Sequence, residues 1–561
     1  MHYIKEVLQK NKFTMIAHIA IGIFVSFITS YKADFFQDII DGLTAGTLAL
    51  GSIIFYGLIL VATYVICYLE EYPWRKLEHD IYLDFKLMAL RKISTIDYIE
   101  YQKIGTGKLV QRIENGAAAG RDVVFHFWLR LIRELIPTII FSVYFIWKIS
   151  RSVTYALLAG YLIIFIITNV LLKFLYRIKE KILNNEEQLN HYLVRGFMEM
   201  LVFRMQRQFP GEIGKATKAK QNIVSTKVKM SMIHEAFFAT FALLVALLEV
   251  VIIFYAWKNQ NLSVGSVVAL ISLIGNAYTP IAIFNVLYVQ YKLDKAAYAR
   301  LEDFLELKDD RQLQTGKQPD DLHGDICINN LSFCYDDKII FENLSLSIKN
   351  GEKIAFVGES GCGKSTLVKL LVGLLKYDSG HIYLSGTELK EICLNNLYGK
   401  ISYLPQDAPV FDGTIRENLV FDKTVSDDEL REAMRRVQLS DVLESAEKGF
   451  DTEIGEKGTL LSGGEKQRLA LARLWFENPE IVILDEATSA MDNLTEELVM
   501  KEVMNNLKDR TVIAIAHRLN SIIGFDRIVV FREGKIVAQG TFEELINTNS
   551  YFTELYNTSI Q

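Results

Sequence analysis

The chain has 561 residues, half of them hydrophobic, and a formal net charge of −6. That length is too great for a single core, and the near-balanced charge lacks the basic excess of a nucleic-acid binder, so no nucleic-acid partner is expected. The five cysteines (Cys67, Cys327, Cys334, Cys362 and Cys393) form no C-x-x-C pair and four lie in the more polar half, which argues against a zinc site and a disulfide framework.

Residues 1–305 read as a membrane domain. Six apolar runs, near 14–30, 48–69, 131–149, 153–174, 236–257 and 264–287, approach the roughly 20 residues that cross about 30 Å of hydrocarbon. Lys5, Lys10 and Lys12 precede the first, but no A-x-A-like site closes it, so an uncleaved span is expected. The long connections after runs two and four are rich in Arg and Lys (Arg75, Lys76, Lys86, Arg91, Lys92; Arg177, Lys179, Arg195, Arg204, Arg207). By the positive-inside rule they and the N-terminus face the cytoplasm, which predicts a multi-pass protein of the cytoplasmic membrane with lipid around its spans. Each connection is roughly sixty residues of helix-favouring sequence, too long for a structureless loop, so helices are expected to project from the bilayer. They are expected to turn near 104–107 and 195–208.

Ionisable residues inside spans are costly and point to function by default. Glu249 in the fifth run is a candidate substrate contact and His18 in the first a weaker one; the plain alternative is a polar group facing a wet cavity or a neighbouring helix. Gly275, Asn276 and Pro280 predict an irregularity in the sixth run.

Residues 306–322 are polar and aperiodic and read as a linker, followed by a soluble α/β domain over 323–561. Within it, the apolar run Lys353–Val357 leads into 358–366, GESGCGKST, and then into an apolar stretch at helical spacing. Strand, glycine loop and helix make the context of a phosphate cradle. Gly358, Gly361 and Gly363 let the backbone N–H groups of Glu359, Ser360, Cys362 and their neighbours converge on an anion, and the helix dipole adds to the attraction. Lys364 can reach terminal phosphates, and the hydroxyl of Ser365, followed by Thr366, can complete a Mg²⁺ shell. The run 481–484 reads as a buried parallel strand ending in Asp485 and Glu486. Open α/β sheets bind ligands at that end, where Asp485 can hold Mg²⁺ and Glu486 can polarise the attacking water. Residues 461–468, LSGGEKQR, offer a second anion-binding turn at a helix start, with Ser462 as N-cap and Gly463 and Gly464 behind it. It has no lysine placed like Lys364, so it would close over a phosphate held elsewhere.

Together these residues resemble the ATP-binding cassette (ABC) transporters, in the exporter-type half-transporter arrangement of six spans and one nucleotide-binding domain. The stretch 358–365 is similar to the Walker A motif, 481–485 to Walker B, Glu486 to the catalytic glutamate, and 461–465 to the signature motif with Glu465 where Gln is common. The resemblance further implies that Gln406 is the Q-loop residue touching Mg²⁺ and the attacking water. It also implies that Tyr335 stacks on adenine, that His517 is the switch histidine, that 489–492 (SAMD) is the D-loop, and that 452–456 is the X-loop. It implies ATP and Mg²⁺ as cofactors and a second half-transporter, identical or different, whose Ser462, Gly463 and Gly464 complete each ATP site in trans. The implied activity is ATP hydrolysis coupled to alternating access, most simply export. An importer of metal chelates with the same architecture and a non-transporting ATP-binding regulator stay open. The cargo, whether small molecule, peptide, lipid or chelate, is not encoded by any motif.

Overall fold

The computed structural model describes residues 2–104, 106–259, 262–335, 338–455, 458–516 and 518–560; Gly105, Glu456 and His517, all flagged above, lie outside the described residues. The chain forms two compact units, one of Met1–Ser94 and Ile104–Leu307, the other of Thr95–Lys103 and Lys308–Gln561.

The first unit is helical. Helices Lys12–Thr44, Leu50–Thr95, Phe209–Asn259 and Val264–Leu305 contain the first, second, fifth and sixth apolar runs. Among the described residues these four are the helices long and apolar enough to cross a membrane. The third run is divided: Leu131–Leu135 is π-helical and only Ile136–Ile149, 14 residues, is α-helical. Pro137 explains the change, because its missing N–H interrupts the i→i−4 ladder. The fourth run opens helix Arg151–Met198, started by Ser150, whose side chain accepts from Val153 N–H. Leu270, Leu273, Ile274, Ala277 and Tyr278 recur at helical spacing and are buried against Leu157 and Ile164. Leu58, Val61, Val65 and Tyr68 remain exposed, an apolar surface suited to lipid.

Long helices occupy both connections. Leu50–Thr95 has 46 residues and Phe209–Asn259 has 51, about 70–75 Å each at 1.5 Å per residue. The second connection turns where expected, with short helix Met200–Met205 between Met198 and Phe209. The first does not break only near 104–107. Helix Leu50–Thr95 ends ten residues earlier, where Ile96 bridges Asp309 and Asp310 N–H donates to Thr95 O at 2.8 Å. Asp97 then starts helix Tyr98–Ile104 by accepting from Ile99 N–H at 2.9 Å. The expected irregularity at Pro280 is absent: the helix runs through it, and the Thr279 hydroxyl donates to Gly275 O at 2.8 Å in the same turn.

The second unit carries two sheets. A four-stranded antiparallel sheet has the order β2 (Lys338–Ile348), β1 (Ile326–Tyr335), β4 (Ser379–Leu384), β5 (Thr387–Glu388). A six-stranded sheet has the order β10 (Lys535–Gly540), β9 (Arg527–Arg532), β3 (Lys353–Gly358), β8 (Thr511–Ile515), β7 (Ile481–Asp485), β6 (Ile401–Leu404). β9, β3, β8, β7 and β6 are mutually parallel. The period-2 alternation of the continuous apolar runs fills two cores. Ile354, Phe356, Ile481, Ile483, Ile513 and Ile515 point to one, with Phe341, Leu367 and Phe531. Ala355, Val357, Val482, Leu484, Val512 and Ala514 point to the other, with Leu469, Val499 and Phe552. The polar stretch after Leu307 is held against this unit: Gln312 Nε2 donates to Ile392 O at 3.0 Å, and Lys317 bridges Ile392. Tyr98 and Ile99 pack on the first core beside Ile401 and Tyr403. Among the described residues no disulfide joins the five cysteines.

Candidate functional site

The strand order places the carboxyl ends of β3, β8, β7 and β6 side by side. Beyond β3 the chain turns through Gly358, Gly361 and Gly363, all at positive φ (149°, 82° and 107°). A Cβ on Gly358 would stand 2.2 Å from Phe531 O of the neighbouring strand, so no larger residue fits this bend. Glu359, Ser360 and Gly361 are exposed at the tip, whereas Cys362, Gly363 and Lys364 are buried. Lys364 Nζ donates to Gly358 O at 2.8 Å and Glu359 O at 3.0 Å, so its charge is held by the carbonyls of its own loop. Ser365 and Thr366 open helix Lys364–Leu371. Tyr335 ends β1, partly exposed; burial raises its hydroxyl pKa, and a hydrogen bond with Thr366 opposes the rise.

Asp485 is 4% exposed at the end of β7. Ser365 Oγ donates to its Oδ1 at 3.0 Å, and the Tyr403 hydroxyl donates to its Oδ2 at 3.3 Å. Burial raises the Asp485 pKa, and these two bonds and the charges of Lys369 and Lys364 counter it. An acid held this way is primed for a positive partner. Glu486 has φ 55° and its N–H donates to Ile515 O at 3.1 Å, which bends it away from the strand line. Gln406 Nε2, two residues beyond β6, donates to Glu486 Oε2 at 2.7 Å. Thus Lys364, Ser365, Asp485, Glu486 and Gln406 are brought together from three strand ends. Ala516, the last described residue before His517, follows β8 in the same row.

Ser462 caps helix Gly463–Ala472 with a full capping box: Glu465 N–H donates to Ser462 Oγ at 3.3 Å and Ser462 N–H to Glu465 Oε2 at 2.7 Å. A Cβ on Gly464 would meet Ala490 O at 2.9 Å. The turn therefore leans on residues 489–491, and among the described residues no hydrogen bond joins Ser462, Gly463 or Gly464 to the loop 358–366.

Sequence reasoning missed Tyr403, Gln467, Thr488 and Glu496. Gln467 Nε2 donates to Ser489 Oγ at 3.0 Å, and its Oε1 accepts from Ala490 N–H at 2.8 Å. Only Gln467 carried a signal, its place on the buried face of a helix started by Ser462. In the first unit, Glu249 is half-buried with no ion pair among the described residues. His18 is buried against Glu70 (3.6 Å), stacked on Phe125 and edge-on to Trp74. Arg133 Nε lies 2.5 Å from Glu70 Oε1, and its guanidinium lies 4.4 Å from the Trp74 ring centre. His18 thus belongs to a buried cluster with Glu70, just past the second apolar run, and Arg133, near the start of the third.

Residues 341–489 match the ABC transporter family, whose domain binds ATP. The chain is 37% identical over 299 residues to the ABC transporter ATP-binding protein YwjA of Bacillus subtilis, covering 53% of this chain and 52% of that protein. It is 33% identical over 305 residues to the mitochondrial iron-sulfur clusters transporter atm1 of Aspergillus fumigatus, covering 53% of this chain and 42% of that protein. The matches span about half, or less, of the length of these relatives. A solved structure of a bacterial Atm1-family ABC exporter with ATP bound superposes with a TM-score of 0.82 over 99% of both chains at 22% identity, a likeness of fold.

Proposed function

We propose that this membrane protein, which belongs to the ABC transporter family through its residues 341–489 and has the exporter-type fold, hydrolyses ATP and uses that reaction to move a substrate outward across the cytoplasmic membrane. The observation that carries the reading is the pair of contacts Ser365–Asp485 (3.0 Å) and Gln406–Glu486 (2.7 Å) at adjacent parallel strand ends, behind a loop whose lysine is buried beneath it.

In this reading the backbone of 358–366 and Lys364 bind the phosphates, and Tyr335 stacks on the adenine. The Ser365 hydroxyl, the Asp485 carboxylate and the Gln406 side-chain oxygen are hard oxygen donors of the kind Mg²⁺ takes, and the first two already converge. Bound there, Mg²⁺ would neutralise charge on the phosphate oxygens. Glu486 accepts a proton from the attacking water, Gln406 orients that water and carboxylate, and His517 contacts the γ-phosphate. Ser462, Gly463 and Gly464 belong to the opposite site: their N–H groups close over the γ-phosphate bound by a second half-transporter. The projecting helices carry closure to the spans. Glu249 is the candidate substrate contact, for a small molecule, peptide, lipid or chelate.

The test uses the full chain in inverted vesicles with ATP outside and a compound library. ATP-dependent accumulation of a compound, with faster ATP turnover, supports the reading. ATP-driven depletion reverses the direction, and absence of both turnover and movement overturns it. Unchanged transport by Glu249→Gln across cationic and neutral compounds removes Glu249 from the substrate site.

A further inference from the structure

Residues 488–491 lie between the phosphate site of this chain and the turn 462–464 that this reading gives to the opposite site, and one buried carboxylate holds them. Glu496 is 4% exposed in the first turn of helix Asn493–Asn506, which Asp492 caps. Its Oε1 accepts from the Thr488 hydroxyl at 2.7 Å, and its Oε2 accepts from Arg518 Nη1 at 2.9 Å. The same Arg518 nitrogen donates to Met491 O at 2.5 Å. Thr488 is two residues past Glu486, and Arg518 is the residue after His517. One carboxylate therefore ties the segments leaving β7 and β8. On the other side, Gln467 from helix Gly463–Ala472 grips Ser489 and Ala490. Glu486, Thr488, Glu496 and Arg518 also border a cavity of about 110 Å³, lined on its other side by core residues such as Ala487, Ile522 and Phe525.

We propose that Glu496 is a positioning residue for ATP hydrolysis: by joining Thr488 to Arg518 it sets the segment that leaves β7 with Glu486 in register with the segment that leaves β8. A buried carboxylate paired with a half-exposed guanidinium suits the role, because with both partners in place it favours one arrangement and with one removed the carboxylate is left buried and unpaired on that side. Nucleotide binding, which rests on 358–366, does not depend on the link; the rate of the chemical step does. The proposal rests on the reading that this site hydrolyses ATP.

The experiment uses the purified full chain in lipid, as the unaltered protein and as Glu496→Gln, Thr488→Val, Arg518→Gln and the Glu496→Gln/Arg518→Gln double variant. It measures ATP turnover, KM and the affinity of a fluorescent ATP analogue. Glu496→Gln is expected to lower kcat about tenfold while KM and analogue affinity stay within about twofold, the split left by an interaction that acts in the transition state. The double variant is expected to be no slower than Glu496→Gln by more than about twofold, since both changes cut one link. Thr488→Val removes one arm and keeps the ion pair, so it is expected to fall between Glu496→Gln and the unaltered chain. It decides the matter if Glu496→Gln fails to fold. Unchanged kcat in either variant overturns the proposal. So does loss of nucleotide affinity in step with turnover, which is the mark of a merely structural role, or full additivity in the double variant. Absence of turnover in the unaltered chain overturns the ATPase reading instead.

Discussion

Arg133→Met should unsettle the first, helical unit more than any change on its exposed apolar surface. Glu70 is 5% exposed and Arg133 9%, so removing the guanidinium leaves a buried carboxylate with His18 as its remaining ion-pair partner among the described residues. Breaking a buried pair from one side costs about 3–5 kcal/mol. At roughly 2–3 °C per kcal/mol for a unit of this size, the melting temperature should fall by about 6–15 °C. Glu70→Gln/Arg133→Met, which removes both charges, should recover most of that loss. Trp74 lies against the guanidinium and His18, so its fluorescence reports the transition during thermal unfolding in nanodiscs. A melting temperature for Arg133→Met within about 1 °C of the unaltered chain refutes the reasoning. A double variant that falls by the sum of the singles refutes it equally.

Two further outcomes follow from single residues. Asp294, on helix Val264–Leu305 beyond the sixth span, has its pKa raised from 3.8 to about 6, first by burial and then by Asp122, against the Gln290 hydrogen bond and the charges of Lys179 and Arg121. A raised acid binds its proton more tightly when folded, so stability should decline as pH rises from about 4 to 6 and stay level above. Two units correspond to roughly 3 kcal/mol, reduced by solvent screening to about 1–2 kcal/mol. Asp294→Asn should recover that amount at pH 7 and flatten the melting profile; an unaltered slope contradicts it. Lys364→Ala removes the positive charge proposed to meet the phosphates and frees Gly358 O and Glu359 O, and should weaken ATP binding at least about tenfold by calorimetry; unchanged affinity contradicts it.

What could be read from the sequence is what local backbone chemistry dictates. The glycines at 358, 361 and 363 are needed by the bend they make, the capping box at Ser462 and Glu465 is written in four residues, and 481–484 is apolar without a break because both faces of β7 are covered. The rest depends on distant partners. Tyr403 meets Asp485 across 82 residues, and nothing around Tyr403 marks its hydroxyl as aimed at a carboxylate. The end of helix Leu50–Thr95 is met by Asp309 and Asp310, more than two hundred residues away, and locally only the weak helix formers Ser94, Thr95 and Asp97 hint at it. Glu70 and Arg133 resemble interfacial charges until the packing of three helices buries them together. Pro280 misleads in the other direction, because a helix packed along its length tolerates one missing bond.

If Glu486, steered by Gln406, is the general base of the proposed ATPase, turnover by Glu486→Gln in the purified full chain reads it out. The substitution keeps the side-chain shape and leaves Lys364, Ser365 and Asp485 intact, so ATP affinity should stay within about twofold. Turnover should fall by a factor of about 10²–10⁴, the span of general-base catalysis. ATP hydrolysis by Glu486→Gln at the rate of the unaltered chain would contradict the account.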